Sequence, residues 1–302
     1  MTLLSICIPT KNRINYLKRT IQSIIDDDVD PSLYEIVISD NSDNDEVKEY
    51  IETLSDKKIK IIFFKNELKG FYNSVKALSF GTGDFLKLHN DYSMFSKGSF
   101  KYLVELVESN NTAKPIIFFS NGELKSKEIL TEVKSFNDFI ASTSYLNTWS
   151  SAFSIWKSDF INTKHDIHSV DSMFPHTSII FNCVKNEYII CNKKIMENIS
   201  VEKKGGYNIF YNFCVIYLEM LQKQVDSNKL KAKVFDRLKS DMLLNFIAPW
   251  YFKTITTDKG YTFDNHNADL IIKRKYGLAG LLKVKVLAYL RLFKEKIYDF
   301  VR

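Results

Sequence analysis

Apolar positions over the first 120 residues alternate between two patterns. Short dense runs at 3–8, 34–39, 58–64, 85–88 and 115–120 are rich in Ile, Val, Leu and Phe and bounded by polar or turn residues, so they predict buried strands. The first is expected to end at Pro9, which has no amide hydrogen to continue a ladder. Between the strands the spacing changes. Ile14, Leu17, Ile21 and Ile24, with Ile25 beside them, recur at helical intervals and predict a helix with one apolar face. Helices are also predicted over 45–54, 71–80 and 98–108, the middle one opened by Gly70 and closed by Gly81-Thr82-Gly83.

Strands alternating with helices imply an α/β fold: a mostly parallel, Rossmann-like sheet flanked by helices. In such sheets ligands bind beyond the carboxyl ends of the strands. Three polar segments stand at those ends: Thr10-Lys11-Asn12-Arg13, Asp40-Asn41-Ser42 and His89-Asn90-Asp91. They are expected to converge at one edge. No G-x-G-x-x-G and no G-x-x-x-x-G-K-[ST] occurs, which removes the main support for dinucleotide binding and P-loop hydrolysis.

Beyond residue 120 the pattern becomes irregular and aromatic as far as about 200, and then reads as helical over 207–256 and 278–301. Within the irregular stretch, a helix is expected over 177–184, just after the cluster that runs from His165 to His176. This gives an expected division into a first domain, 1–206, with halves 1–120 and 121–206, and a C-terminal helical extension, 207–302.

Composition narrows the class. A chain of 302 residues, 45% hydrophobic and 26% charged, is an ordinary globular protein of two domains or one large one. Cys7, Cys183, Cys191 and Cys214 form no C-x-x-C pair and read as reduced core residues of a cytoplasmic protein. The first residues lack a basic stretch followed by an apolar run, so no signal peptide is expected, and no apolar run is long enough to span a bilayer.

Charge is concentrated at the end. Residues 273–302 hold nine basic residues against Glu295 and Asp299, a net +7, while the whole chain carries +6. The rest is therefore near neutral, and a nucleic-acid-binding core is disfavoured. Within the tail, Leu278, Leu282, Val286, Tyr289, Phe293, Ile297 and Phe300 follow helical spacing, flanked or opposed by Lys283, Arg291, Lys294 and Arg302. Such a basic amphipathic helix suits an anionic membrane surface, with packing on the protein core as the other reading. The implied location is the cytoplasm, peripheral at the inner face of the plasma membrane.

The ordered set of segments resembles a bacterial family-2 glycosyltransferase of the GT-A fold. It runs through Ser5-Ile6-Cys7-Ile8-Pro9-Thr10-Lys11-Asn12-Arg13, Ile36-Val37-Ile38-Ser39-Asp40-Asn41-Ser42, Asn66, Gly70, Asn73, Gly83-Asp84-Phe85 and His89-Asn90-Asp91. The Ser39–Ser42 ending and Phe174-Pro175-His176 resemble abequosyltransferase-like O-antigen and capsule enzymes. The resemblance implies inverting transfer of a hexosyl or deoxyhexosyl group from a nucleotide sugar to a lipid-linked oligosaccharide in surface-polysaccharide synthesis.

By this resemblance Asp40 accepts a hydrogen bond from the base, and Pro9, Thr10, Asn12, Arg13, Asn41, Asn73, Asn90 and Lys204 line the donor site. UDP is the expected nucleotide, with CDP and GDP open. The family's Asp-X-Asp motif binds Mn²⁺ or Mg²⁺ across the diphosphate. Here it is reduced to His89-Asn90-Asp91, so Asp91 is the expected ligand and His89 a second candidate. The general base is Asp171, with the family's usual chemistry, or His176, whose ordinary pKa suits the task. His165, His168 and His176 fit no zinc spacing. Lys203-Lys204-Gly205-Gly206 could close over a diphosphate, and Trp149, Ser150 and Ser151 could line the acceptor pocket. Two rivals remain: a nucleotidyltransferase of related fold, and a non-catalytic membrane-associated assembly module.

Overall fold

The computed structural model describes residues 2–68, 71–163, 165–166, 168–183, 185–201 and 205–301. The chain divides into two compact units: Met1–Phe139 with Leu146–Ser200, and Ile140–Tyr145 with Val201–Arg302.

In chain order the first unit begins with β1 (Leu4–Thr10), α1 (Ile14–Ile25), β2 (Tyr34–Asp40), α2 (Glu46–Glu52), β3 (Lys60–Lys65), α3 (Tyr72–Phe80) and β4 (Phe85–Leu88). There follow β5 (Ser93–Phe95), α4 (Ser99–Ser109), β6 (Ile116–Phe119), β7 (Leu130–Val133), α5 (Phe136–Thr143), β8 (Ser154–Trp156), α6 (Lys157–Asn162), α7 (Pro175–Asn182), β9 (Tyr188–Cys191) and β10 (Met196–Asn198).

The central sheet has the order β3-β2-β1-β4-β8. Its first four strands are parallel, and β8 runs antiparallel to β4. Alternate residues of each strand face opposite sides. Leu4, Ile6 and Ile8 join Ile36 and Ile38 in a core closed by Leu17, Ile21 and Ile24 of α1 and by Phe100, Leu103 and Val107 of α4. α3 packs on β1 and β2. A side chain at Gly83 would meet the backbone of Leu4 and Ser5 at 2.9 Å, so only glycine lets this turn pass β1 so closely.

β1 continues through Pro9, against expectation. The amide of His89 donates to Cys7 O, and that of Asn41 to Thr10 O, so residues 7 and 9 face β4 and residues 8 and 10 face β2. β4 has ended at Leu88, so the missing hydrogen of Pro9 removes no ladder bond. The 115–120 strand also differs: β6 lies in a separate sheet, β6-β9-β7, parallel to β9. The Ser154 hydroxyl of β8 donates to Ile117 O of β6. The region read as irregular holds three- and four-residue strands, too short to show a period.

The second unit pairs β11 (Gly205–Asn208) in parallel with β12 (Thr262–Asp264). Two helical stretches, 209–226 and 232–256, contain π-helical turns. The last helix, Ala268–Val301, breaks at Gly277, whose φ of 72° is in the left-handed region. Its apolar stripe does not pack inward. Leu281, Val284 and Ala288 are buried, while Leu278, Leu282, Val286, Tyr289, Phe293 and Ile297 are exposed. All four cysteines are buried and unpaired.

Candidate active site

Parallel register brings the three polar segments together. Thr10 pairs with Asp40 across β1 and β2, and Cys7 with Leu88 across β1 and β4, so the following turns share one sheet edge. Asp91 is buried there. Its Oδ2 accepts from the Thr10 hydroxyl at 2.7 Å and lies 3.0 Å from Arg13 Nε. Its main-chain oxygen accepts from the Thr20 hydroxyl at 2.9 Å. Burial pushes the Asp91 carboxyl up to about 6, although Arg13 and Thr10 pull it down. Arg13 keeps its side chain 34% exposed, with its guanidinium 5.4 Å over the Tyr92 ring.

Asp40 ends β2 fully buried. Its Oδ1 accepts the Ser42 amide at 2.8 Å, whereas Oδ2 has no partner. The Asn41 side-chain oxygen is likewise buried and unpartnered, its amide donating to Leu68 O. Two unmatched acceptors at a strand end are costly unless a ligand supplies donors, and a pyrimidine N–H or an exocyclic amine is such a donor. Asn12, with φ of 52°, fastens the neighbouring loops: its amide donates to Ser42 Oγ at 2.8 Å, and its side chain exchanges hydrogen bonds with Asp43. Asn73 donates to Ser39 O at 2.9 Å and Thr10 O at 3.3 Å and accepts from Asn66 at 3.0 Å. It pins the ends of β1 and β2. Pro9 lies between these loops within β1.

His89 points into the core. Its Nε2 bonds Ser93 O at 2.6 Å, its ring stacks on Phe95 at 4.6 Å, and burial pushes its pKa down to about 3. Asn90 instead reaches the loop before β8: Ser150 Oγ donates to its side-chain oxygen at 2.8 Å, and its amide donates to Ser151 Oγ at 3.1 Å. Trp149 is half-buried and packs against the main core.

Among the described residues no three His, Cys, Asp or Glu side chains are grouped to hold a metal. Asp91 is the carboxylate of its turn, already facing Arg13, and His89 is packed away from it. This donor set does not fit a resident ion held by protein alone. It fits an ion that arrives with a diphosphate and takes one protein carboxylate.

Asp171 lies on the segment before α7. Its Oδ1 accepts the amides of Met173 and Phe174 at 2.8 and 3.0 Å. The Ser172 carbonyl accepts from the Phe71 amide at 3.4 Å, which places this segment beside the start of α3. α7 begins at Pro175, two residues earlier than expected, because proline suits the first helical position. His176 therefore sits in its first turn. Its Nε2 donates to Thr148 O at 2.8 Å, Nδ1 has no partner, and burial pushes its pKa down to about 4. Lys203 and Lys204 lie outside the described residues, as do Gly70 and Arg302.

Two contributors were missed in the sequence. Thr20 holds the Asp91 main chain, and Lys87 of β4 is wholly buried, donating from Nζ to Leu88 O at 2.8 Å and to Ser151 O. Burial pushes Lys87 down to about 7. A lysine inside the apolar run Phe85-Leu86-Lys87-Leu88 was the available signal.

Residues 5–169, more than half of the chain, match the model of glycosyl transferase family 2. No curated protein matches the chain by sequence. Among solved structures, Staphylococcus aureus TarS 1–349 in complex with UDP-GlcNAc superposes with a TM-score of 0.63 at 15% identity, over 95% of this chain and 84% of that one. The mannosyltransferase PcManGT from Pyrobaculum calidifontis, in complex with GDP-Man and Mn²⁺, superposes at 0.54 and 13%, over 97% and 81%. These likenesses show a shared fold, the GT-A arrangement of a mostly parallel sheet between helices.

Proposed function

Since the chain belongs to glycosyl transferase family 2, we propose that it moves a sugar from a nucleoside-diphosphate sugar to a saccharide hydroxyl with inversion at the anomeric carbon. The observation that carries this reading is the pairing, on one sheet edge, of the unmatched Asp40 Oδ2 with the Arg13–Asp91 ion pair.

In this reading Asp40 and Asn41 receive donors from the base, and Arg13 turns its exposed nitrogens to the diphosphate. A divalent cation, Mn²⁺ or Mg²⁺, bound with the diphosphate and Asp91, would neutralise charge growing on the leaving group. Asn12, Asn73 and Asn90 hold the surrounding loops in register, and Pro9 and Thr10 flank the nucleoside. An acceptor oxygen attacks the anomeric carbon opposite the diphosphate. The bond to the diphosphate oxygen breaks, the electron pair leaves with the nucleotide, and Asp171 takes the hydroxyl proton. His176 is the other base in this segment. Its Nε2 is spent on Thr148, which leaves Nδ1 for that task.

The acceptor is a lipid-linked oligosaccharide at the cytoplasmic face of the membrane, met by Trp149 and Ser150, and the product enters O-antigen or capsule synthesis. The Ser39-Asp40-Asn41-Ser42 strand end and Phe174-Pro175-His176 support an abequosyltransferase-like, hexosyl or deoxyhexosyl specificity. UDP is the first donor nucleotide to test, before CDP and GDP.

The test is a thermal-shift panel of UDP, CDP and GDP and their sugars, followed by donor hydrolysis and transfer with and without Mn²⁺. A ligand that binds only the native state raises the melting temperature. Stabilisation by one nucleotide, with turnover of its sugar, is expected. No response to any nucleotide would overturn the reading.

A further inference from the structure

The last helix faces two ways. Leu281, Val284 and Ala288 are buried in the second unit, while Leu278, Leu282, Val286, Tyr289, Phe293 and Ile297 are each between 47% and 63% exposed. At about 100° per residue these six fall within roughly a third of the helix circumference. Leu290 widens the apolar surface, at 54% exposure. Monomers seldom leave so continuous an apolar strip in water.

The charges beside the strip indicate what covers it. Helical spacing sets Lys283 and Lys294 along one edge and Lys296 along the other. Ion pairs of this unit take Lys259, Lys275 and Lys285, whereas Lys283, Lys294 and Lys296 are exposed and in none of these pairs. Glu295 is turned to Lys259. Lys283 also borders a cavity of about 460 Å³ where, with Lys275 turned to Glu219, Lys239 and Lys283 itself still outweigh Asp236, a cationic recess of a size for a phosphate head group. A second copy of the chain, related by a two-fold axis along the strip, would bring these basic edges against each other. No described helix is long and apolar enough to cross a membrane.

We infer that this face docks on an anionic phospholipid bilayer. The strip from Leu278 to Ile297 enters the acyl boundary, and Lys283, Lys294 and Lys296 meet head-group phosphates on both sides. The inference deepens the functional reading, because a lipid-linked acceptor gives the surface its purpose. It is tested without donor or acceptor, so either can fail alone.

The full chain is sedimented with phosphatidylglycerol–phosphatidylcholine vesicles and with phosphatidylcholine vesicles, at low and high salt. Two variants are compared: Leu282→Glu with Phe293→Glu, and Lys283→Glu with Lys294→Glu and Lys296→Glu. All five side chains are exposed, and unchanged circular dichroism and melting confirm the fold. Wild type is expected to pellet with anionic vesicles only, less so as salt rises. The apolar double variant should partition about 100-fold more weakly, and the charge variant should stay in solution. Wild type left in the supernatant, equal binding to both vesicle types, or a solution dimer broken by the double variant without vesicle binding would each overturn the inference.

Discussion

Arg13 Nε stands 3.0 Å from Asp91 Oδ2, so the carboxylate that follows β4 already faces a cation supplied by the chain itself. The pair is asymmetric: Asp91 is 1% exposed and Arg13 34%. The arginine can turn outward to phosphate, while the carboxylate is held by Thr10. Arg13→Ala is therefore expected to raise the donor KM more than it lowers kcat, as loss of a ground-state phosphate contact does. Asp91→Asn should lower transfer and abolish the response to Mn²⁺. Steady-state kinetics against donor and metal concentration separate the two.

The same carboxyl makes a prediction about stability. Its pKa is raised by burial from the ordinary 3.8 to about 6. A carboxyl whose folded-state pKa is raised contributes most stability below about 4, and that contribution is lost as pH rises through about 6. Asp91→Asn, which cannot ionise, should melt higher than wild type at pH 7.5, by on the order of 2–3 kcal/mol in stability. The advantage should shrink as pH falls to 4. Chemical denaturation at the two pH values measures it, and a constant difference would show that Asp91 ionises without penalty.

Asp40 supplies a cleaner separation of binding from folding. Asp40→Asn keeps an oxygen for the Ser42 amide, and so preserves the turn. It replaces a charged acceptor by a neutral amide where Oδ2 now lacks a partner. A charge-assisted hydrogen bond is worth about 1.5–3 kcal/mol, so the nucleotide Kd should rise by about 10- to 100-fold. Calorimetry with the nucleotide alone checks it, and an unchanged Kd would remove Asp40 from the base site.

How far the residues alone disclose this site can be judged at particular positions. Runs such as Ile36-Val37-Ile38 and the spacing of Leu17, Ile21 and Ile24 announce β2 and α1, because burial on one or both faces leaves a period in the sequence. The three strand-end segments follow from that alternation. β5, β8 and β10 have three residues each, and no period can show in so few. Pro9 misled because its effect depends on whether a neighbouring strand is present, a tertiary fact. His89 looked like a ligand because histidine marks both metal sites and packed cores, and only its stacking on Phe95 distinguishes them. The outward turn of Leu282 and Phe293 was equally hidden, since an apolar stripe has the same spacing whichever way it faces.

His176 predicts an acid response. Burial pushes its imidazole from the ordinary 6.5 down to about 4. A base whose folded-state pKa is depressed gives its full stability above about 6.5 and loses it as pH falls through about 4. His176→Gln can still donate to Thr148 O but does not take up a proton. Between pH 7 and pH 4 wild type should lose about 3 kcal/mol from this group that the variant does not. Melting curves across that window should therefore converge or cross. His89, with its pKa pushed to about 3, adds to the loss in both proteins and does not obscure the difference.

The identity of the base is decided by comparing that variant with Asp171→Asn. The amide introduced there would retain an oxygen for the backbone N–H groups of Met173 and Phe174, so the segment before α7 keeps its shape while losing its carboxylate. If Asp171 takes the acceptor proton, transfer should fall by about 10²–10⁴-fold with donor affinity intact. His176→Gln should then change transfer by much less than its effect on acid stability suggests, because its Nε2 is engaged by the Thr148 carbonyl. With a carboxylate base, transfer should be lost in Asp171→Asn and kept in His176→Gln. The reverse pattern would assign the proton to His176 Nδ1, and full activity in both variants would place the base outside this segment.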